Sequence, residues 1–305
     1  MSVKVLGTGF RWAGAVLGLL AGVVSQSGVA NAATKYEAVQ AYLREIVANH
    51  PGNAEIFEIG ISDSGERIEG VKIGSGETPT IVVGTHHGNE YGSTEVAKAT
   101  AAELAANPIP GLTTYVLPVL NISGYNRGQR WERVNGKAHD PNRDYPGPCG
   151  SDGPWNLKST RALANFIEGR QIVTSATLHT YFPAVVYPWG LSSRDLSTRY
   201  DDLFRQLTGW ATQESGYQTG NSTEVVYAAD GTYEDYAFWK TGVWSLLFEL
   251  GYSHNPNPTQ VRDMVRVNVP GIRRFLERAP RTRAEEHDFT GRCSVRAEHM
   301  DLHLE

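Results

Sequence analysis

Cysteine is scarce in this chain: Cys149 and Cys293 are the only two among 305 residues, so at most one disulfide can form. In an oxidising compartment the pair is plausible, but spacing alone does not show that the two Cα atoms approach, and two separate thiols are the alternative. Positive charge is not in excess either. Lys and Arg number 28 against 33 Asp and Glu, a formal net charge of -5, which makes nucleic acid and anionic membranes poor partners. No internal repeat and no low-complexity block divides the chain, whose length allows one large or two small domains. No apolar run is long enough for a comfortable membrane span. The N-terminal run, about Ala13 to Val24, follows Lys4 and Arg11 and leads to small residues closing on Ala30-Asn31-Ala32. That order of charge, short apolar core and A-x-A site predicts a secretory signal peptide over 1–32. Its removal takes away two positive charges and no acid, moving the net charge from -5 to -7. The expectation is a mildly acidic exported protein, extracellular or periplasmic, monomeric and free of the membrane once cleaved.

What is present is an alternation of apolar runs and helical periods. Tyr36, Val39, Leu43, Ile46 and Val47 recur at helical spacing, and the helix should stop by His50-Pro51. Strands are expected at Glu55 to Ile61, Ile68 to Ile73, Thr80 to Gly84, Thr114 to Leu120, Thr174 to Leu178 and Ser245 to Leu250. Helices are expected over Ser93 to Ala106, Leu157 to Glu168, Leu196 to Glu214 and Gln260 to Arg278, the last kinked or restarted at Pro270. Alternation of this length predicts an α/β fold: a single domain over 34–280 with a mixed, mostly parallel central sheet flanked by helices. Residues 281–305 read as a charged, solvated tail carrying His287, His299 and His303.

Chemistry gathers at strand ends. His87 and Glu90 in TIVVGTHHGNEYGS and His179 in SATLHTYFPAVVYPWG form a His, Glu, His set with a long gap before its last member. Two imidazoles and a carboxylate fill three positions of a tetrahedron and leave the fourth for water, the pattern of a catalytic zinc site with one ion per chain. His86 is adjacent, but three-residue spacing to Glu90 favours His87. Glu249 lies in the apolar run LLFELG, where a carboxylate is costly unless it faces a polar cavity. Such a setting suits a general base whose pKa is raised by its surroundings. Arg130, Arg133, Asn142 and Arg143 crowd one segment, either a solvated basic loop or a clamp for a carboxylate.

These segments, in this order, resemble the zinc metallocarboxypeptidases of the carboxypeptidase A type. HGNE resembles the family's HxxE, LNISGY its NPDGY turn, DPNRDYP its DxNRN segment, and VVYAADGTYEDYAFWKTGVWSLLFEL its tyrosine loop and glutamate strand. The resemblance runs from about Tyr36 to Leu276. It implies that His87, Glu90 and His179 bind zinc and that Glu249 moves the proton. Asn142 and Arg143 would hold the terminal carboxylate of a peptide substrate, and Tyr227 would close over it. It leaves Arg130 and Arg133 as alternatives for the oxyanion arginine, with Arg133 preferred. It also puts Glu234 at the base of the side-chain pocket, where an acid favours a C-terminal Lys or Arg. No room is expected for an inhibitory pro-domain. Two other activities use similar elements: an amidase of cell-wall peptides, cutting between D-glutamate and diaminopimelate, and a deacylase of the succinylglutamate desuccinylase type. The complete Asn-Arg clamp and the tyrosine loop favour the peptidase.

Overall fold

The structure, a computed structural model, describes residues 33–151 and 153–293. The expected signal peptide, and His299 and His303 with it, lie outside the described residues. The chain opens with α1 (Lys35–Asn49), β1 (Ala54–Ile61), β2 (Arg67–Ile73), β3 (Thr78–Gly84), α2 (Tyr91–Ala106), β4 (Leu112–Leu117) and α3 (Ile122–Arg127). A small hairpin, β5 (Glu132–Val134) and β6 (Lys137–His139), precedes α4 (Lys158–Gly169), β7 (Thr174–His179), β8 (Ala184–Tyr187) and β9 (Ser193–Arg194). Then come α5 (Asp201–Ala211), β10 (Gln218–Asn221), α6 (Ser222–Val225), α7 (Tyr233–Thr241), β11 (Trp244–Glu249), α8 (Pro258–Arg278) and β12 (Arg292–Cys293).

Eight strands form one sheet in the order β1-β2-β4-β3-β7-β11-β8-β10. The four central strands, β4 to β11, run parallel, while β1, β2 and the β11-β8 junction are antiparallel. Every residue of β4 and β7 is buried, as expected for strands covered on both faces. Helix α2 packs on β3, β4 and β7, α7 on β11, and α5 on β8 and β10. The mixed α/β sheet expected from the sequence is therefore present. At the chain's entry, Thr34 caps α1 in a reciprocal capping box with Glu37, and Tyr36, Val39, Leu43 and Ile46 form its buried stripe.

Three local expectations change. The helix expected over Leu196 to Glu214 is confined to α5, because Asp201 accepts from the Thr198 amide (2.6 Å) and hydroxyl (3.0 Å) and so turns the chain just before the helix. Of the two readings at Pro270, a kink or a restart, the restart is removed, since α8 continues through it. The tail, although most of its residues are exposed, is tied to the domain as far as Cys293. Arg283 donates to the carbonyls of Ile172 and Ile167, both at 2.7 Å, and the Ala284 amide reaches Gly242 O at 2.8 Å. His287 lies 2.6 Å from Trp239 O through Nδ1, and β12 pairs with β9. These contacts are made largely through backbone groups, so they leave no apolar period to read.

Cys149 and Cys293, 144 positions apart in the sequence, are disulfide-bonded, with Cα atoms 5.3 Å apart. A cross-link over so long a loop restricts the unfolded chain strongly. Replacing both cysteines by serine should lower stability by about 2–5 kcal/mol, read as a lower urea midpoint with an otherwise native circular dichroism spectrum. An unchanged midpoint would show that contacts of the tail, not the bridge, hold this end.

Candidate active site

The C-terminal ends of three adjacent parallel strands meet at one place. Gly84 at the end of β3 pairs with Leu178, and on the other side of β7 His179 pairs with Glu249 of β11. This is the position at which open parallel sheets present functional groups. The loop 85–90 leaves β3 there and is pressed against the segment 124–129. A Cβ on Gly88 would lie 2.1 Å from the Gly124 carbonyl carbon and 2.3 Å from the Tyr125 nitrogen, so only glycine fits. Thr85, at φ 59°, is buried and bonded to Thr94, Ser93 and Pro118 O. Glu90 occupies the N-cap position of α2 without capping it, so its carboxylate is free to reach His87, His179 and the Thr180 amide.

His87 Nδ1 is 2.7 Å from Glu90 Oε1, and His179 Nδ1 is 3.1 Å from Glu90 Oε2 and 3.2 Å from His87 Nδ1. All three residues are buried. Two imidazole nitrogens aimed at each other and at a carboxylate are poorly served by hydrogen bonds alone, since in the pair only one nitrogen can donate to the other. The set suits a cation, and its ligand atoms all lie within 4.8 Å of one another. These residues fit zinc by donor type and convergence. Burial opposes the charge of Glu90, but His87 and His179 outweigh it and hold the carboxyl far below its usual range. Burial likewise opposes protonation of His87, and Glu90 reverses that effect, raising its pKa. His86 stands apart: burial, then the neighbouring His179, push it well down, and its Nε2 lies 3.2 Å from Tyr145 OH.

Asp140 was not anticipated from the sequence. Its Oδ1 is 2.9 Å from His87 Nε2, so it orients the imidazole from behind. Its Oδ2 accepts from Arg130 Nε at 3.0 Å and Nη2 at 2.8 Å. The signal was present in DPNRDYP, as an acid two residues before the clamp asparagine, but its partner lies 53 residues away.

Of the two candidate arginines, the structure brings Arg130 to the site and not Arg133. Arg130 lies 3.8 Å from Glu90 Oε1, and its carbonyl is held by Gly88 N and Asn121 Nδ2. Arg133 is exposed, and among the described residues its guanidinium reaches only Gly136 O, at 3.4 Å, within its own hairpin. Strand alternation explains the difference: Glu132 faces inward in β5, so Arg133 must face out.

Pro141–Arg143 forms a short 3-10 turn that presents Asn142 and Arg143 to the same cleft. Arg143 Nη2 donates to the hydroxyl of the exposed Tyr227 at 3.1 Å. Glu249 and Glu234 also line this cleft, together with Val186, Val226 and Leu247. Burial, then the nearby Glu90 charge, push the Glu249 carboxyl well above its ordinary range.

Beneath the hairpin, Glu132 is fully buried, with Ser159 donating to one oxygen at 2.6 Å. Burial raises its pKa from 4.5 to about 7, against the Ser159 bond. The folded chain therefore holds this proton more tightly than the unfolded chain. Stability from this group is greatest below pH about 4.5, falls as the pH rises to about 7 and is then flat. Glu132→Gln should match the parent at pH 4.5 and exceed it by roughly 2–4 kcal/mol at pH 8, measured as the difference in urea unfolding. A difference independent of pH would show that Glu132 does not carry this penalty.

The sequence pattern of the zinc carboxypeptidases matches residues 39–271. The chain belongs to the zinc carboxypeptidase family. It is 25% identical over 251 residues to carboxypeptidase B of the crayfish Astacus astacus, covering 68% of this chain and 82% of that one. It spans 62% of the length of the human and rat carboxypeptidases B that it also matches. Bovine thrombin-activatable fibrinolysis inhibitor, solved with a tick carboxypeptidase inhibitor, shares the fold with a TM-score of 0.72 at 18% identity, over 78% of this chain and 94% of that one. Murein-tripeptide amidase MpaA of Escherichia coli O157 shares it at 0.53 and 16%, over 78% and 97%. The protein is thus a zinc metallopeptidase whose His87, Glu90 and His179 can hold one ion.

Proposed function

We propose that this zinc carboxypeptidase is exported and removes single C-terminal residues from peptides, with a preference for basic ones. The observation that carries the reading is that the Asn142-Arg143-Tyr227 group and Glu249 line one cleft with two of the metal-site residues, His87 and His179. Zinc bound by these residues supplies Lewis acidity and makes a water easier to deprotonate. Arg143 offers a guanidinium fork to the substrate's terminal carboxylate, with Asn142 beside it. Tyr227, exposed, with its hydroxyl bonded to Arg143, is placed to cover the bound end. Glu249, whose raised proton affinity makes it a competent acceptor, takes the proton of the attacking water and returns it to the nitrogen of the departing residue. Two of the five N–H donors of Arg130 bond Asp140, and the others, without a hydrogen-bond partner among the described residues, can serve the oxyanion that forms. The departing side chain enters the part of the cleft lined by Val186, Val226, Leu247 and Glu234. The disulfide supports export, since such bonds persist in oxidising compartments.

The test is mass spectrometry of products from the zinc-loaded protein incubated with peptides ending in Lys, Arg, Leu or Phe, their C-terminal amides, and a muropeptide containing diaminopimelate. Loss of one residue from free-carboxylate peptides, fastest for Lys or Arg, and poor cleavage of amides are expected. Equal cleavage of amides would remove the clamp, and cleavage of the muropeptide alone would make the protein an amidase.

A further inference from the structure

Two residues read from the sequence as separate parts of the substrate site touch each other. Asn142 is 3% exposed, and both ends of its side-chain amide are already fixed. Its Oδ1 accepts from the Tyr233 amide at 2.8 Å, and its Nδ2 donates to Glu234 Oε2 at 3.3 Å. The other oxygen of Glu234 accepts from the hydroxyl of Thr177, a buried residue two positions before His179 on β7. Glu234 is thus the middle of a chain, Thr177 to Glu234 to Asn142, that runs from β7, the strand ending at His179, to the carboxylate clamp. A carboxylate placed only to meet a cationic side chain would leave its oxygens open to the pocket. Here each is already accepting one bond from the protein.

We propose that Glu234 is a positioning residue of the carboxylate clamp: it fixes the amide of Asn142 so that one Nδ2 hydrogen is aimed into the cleft, and it does so whatever the departing side chain. The inference rests on the clamp reading given above. The carboxyl oxygens of Glu234 have lone pairs beyond the two bonds they accept here, so a Lys or Arg side chain can still share the group. Recognition of the side chain and recognition of the terminal carboxylate then run through one group. They should not be additive, because residues in one hydrogen-bond network are energetically coupled.

The experiment measures kcat and KM of the zinc-loaded protein on a matched pair of peptides ending in Leu and in Lys, for the parent, Glu234→Ala, Glu234→Gln, Asn142→Ala and the Glu234→Ala/Asn142→Ala double variant. Loss of a hydrogen bond to a charged group predicts that Glu234→Ala raises KM for the Leu peptide about tenfold with kcat nearly unchanged. Glu234→Gln, whose amide oxygen can still accept from Asn142, should recover most of that loss on Leu while losing the preference for Lys. In the Asn142→Ala background, adding Glu234→Ala should change the Leu KM by less than about twofold. An unchanged Leu KM in Glu234→Ala, or a full tenfold loss on top of Asn142→Ala, would overturn the proposal and leave Glu234 as a specificity acid only. Should Glu234→Ala fail to fold, Thr177→Val carries the test, since it frees Glu234 without altering the pocket's charge. A severalfold rise in the Leu KM at constant Lys preference supports positioning, and no change refutes it. Failure of the clamp reading itself is seen separately, in the parent, as equal cleavage of amidated and free peptides, and it removes the inference as well.

Discussion

Glu249→Gln should retain zinc and substrate affinity while losing at least about 10² to 10⁴ in kcat, the usual size of a general acid-base contribution. The reasoning starts from the register of the sheet. Glu249 is the last residue of β11 and pairs with His179, so its side chain leaves the strand beside the metal residues without being one of them. Glutamine fills the same volume but can no longer accept or return a proton. The substitution also removes a carboxylate whose charge is disfavoured by burial and by Glu90, so the variant should unfold no earlier than the parent. Metal analysis and kinetics on one peptide are sufficient as a test. Activity within about tenfold of the parent would take Glu249 out of proton transfer, and loss of zinc would mean that it acts through the metal site instead.

How far the sequence could be read depended on whether a residue's role is local. β3, β7 and β11 were visible as short apolar runs because strands buried on both faces need no alternation, and the metal residues follow from donor chemistry at two of their ends. Helix α7 was missed for a related reason: Tyr233 through Phe238 are all buried, so it has no polar face and no period. β8 went unseen because AVVY follows the His179 segment closely and merges with it in the sequence. The Asp140 bond to His87 and the Thr177 bond to Glu234 join residues 53 and 57 positions apart, which no local pattern contains. The cysteine pair could be counted in the sequence, but only the strand pairing of β12 with β9 shows what carries Cys293 back toward Cys149. For Arg133 the difference from Arg130 is one of phase. In a strand as short as β5, a single step decides which face a side chain takes, and the buried Glu132 fixes that phase against Arg133.

Arg130→Ala should lower kcat by about 10² to 10³, the cost of losing an oxyanion donor, while Arg133→Ala should stay within about twofold of the parent. The contrast rests on anchoring as much as on proximity. Asp140 holds Arg130 through two bonds and His87 through a third, so the guanidinium is fixed relative to the imidazole rather than free to swing. Pre-organised donors act without reorganising at the moment of reaction, which is why one of them can be worth so much. Arg130→Lys restores the charge but neither the fork nor its anchoring on Asp140, and should recover only a small part of the loss. Arg130→Ala also leaves Asp140 with an unpaired oxygen near His87, so zinc content must be measured in the same samples. A kcat loss at full zinc occupancy assigns the effect to the oxyanion. A loss that follows the zinc content would place Arg130 in the support of His87, and a large effect of Arg133→Ala would mean that the hairpin moves when substrate binds.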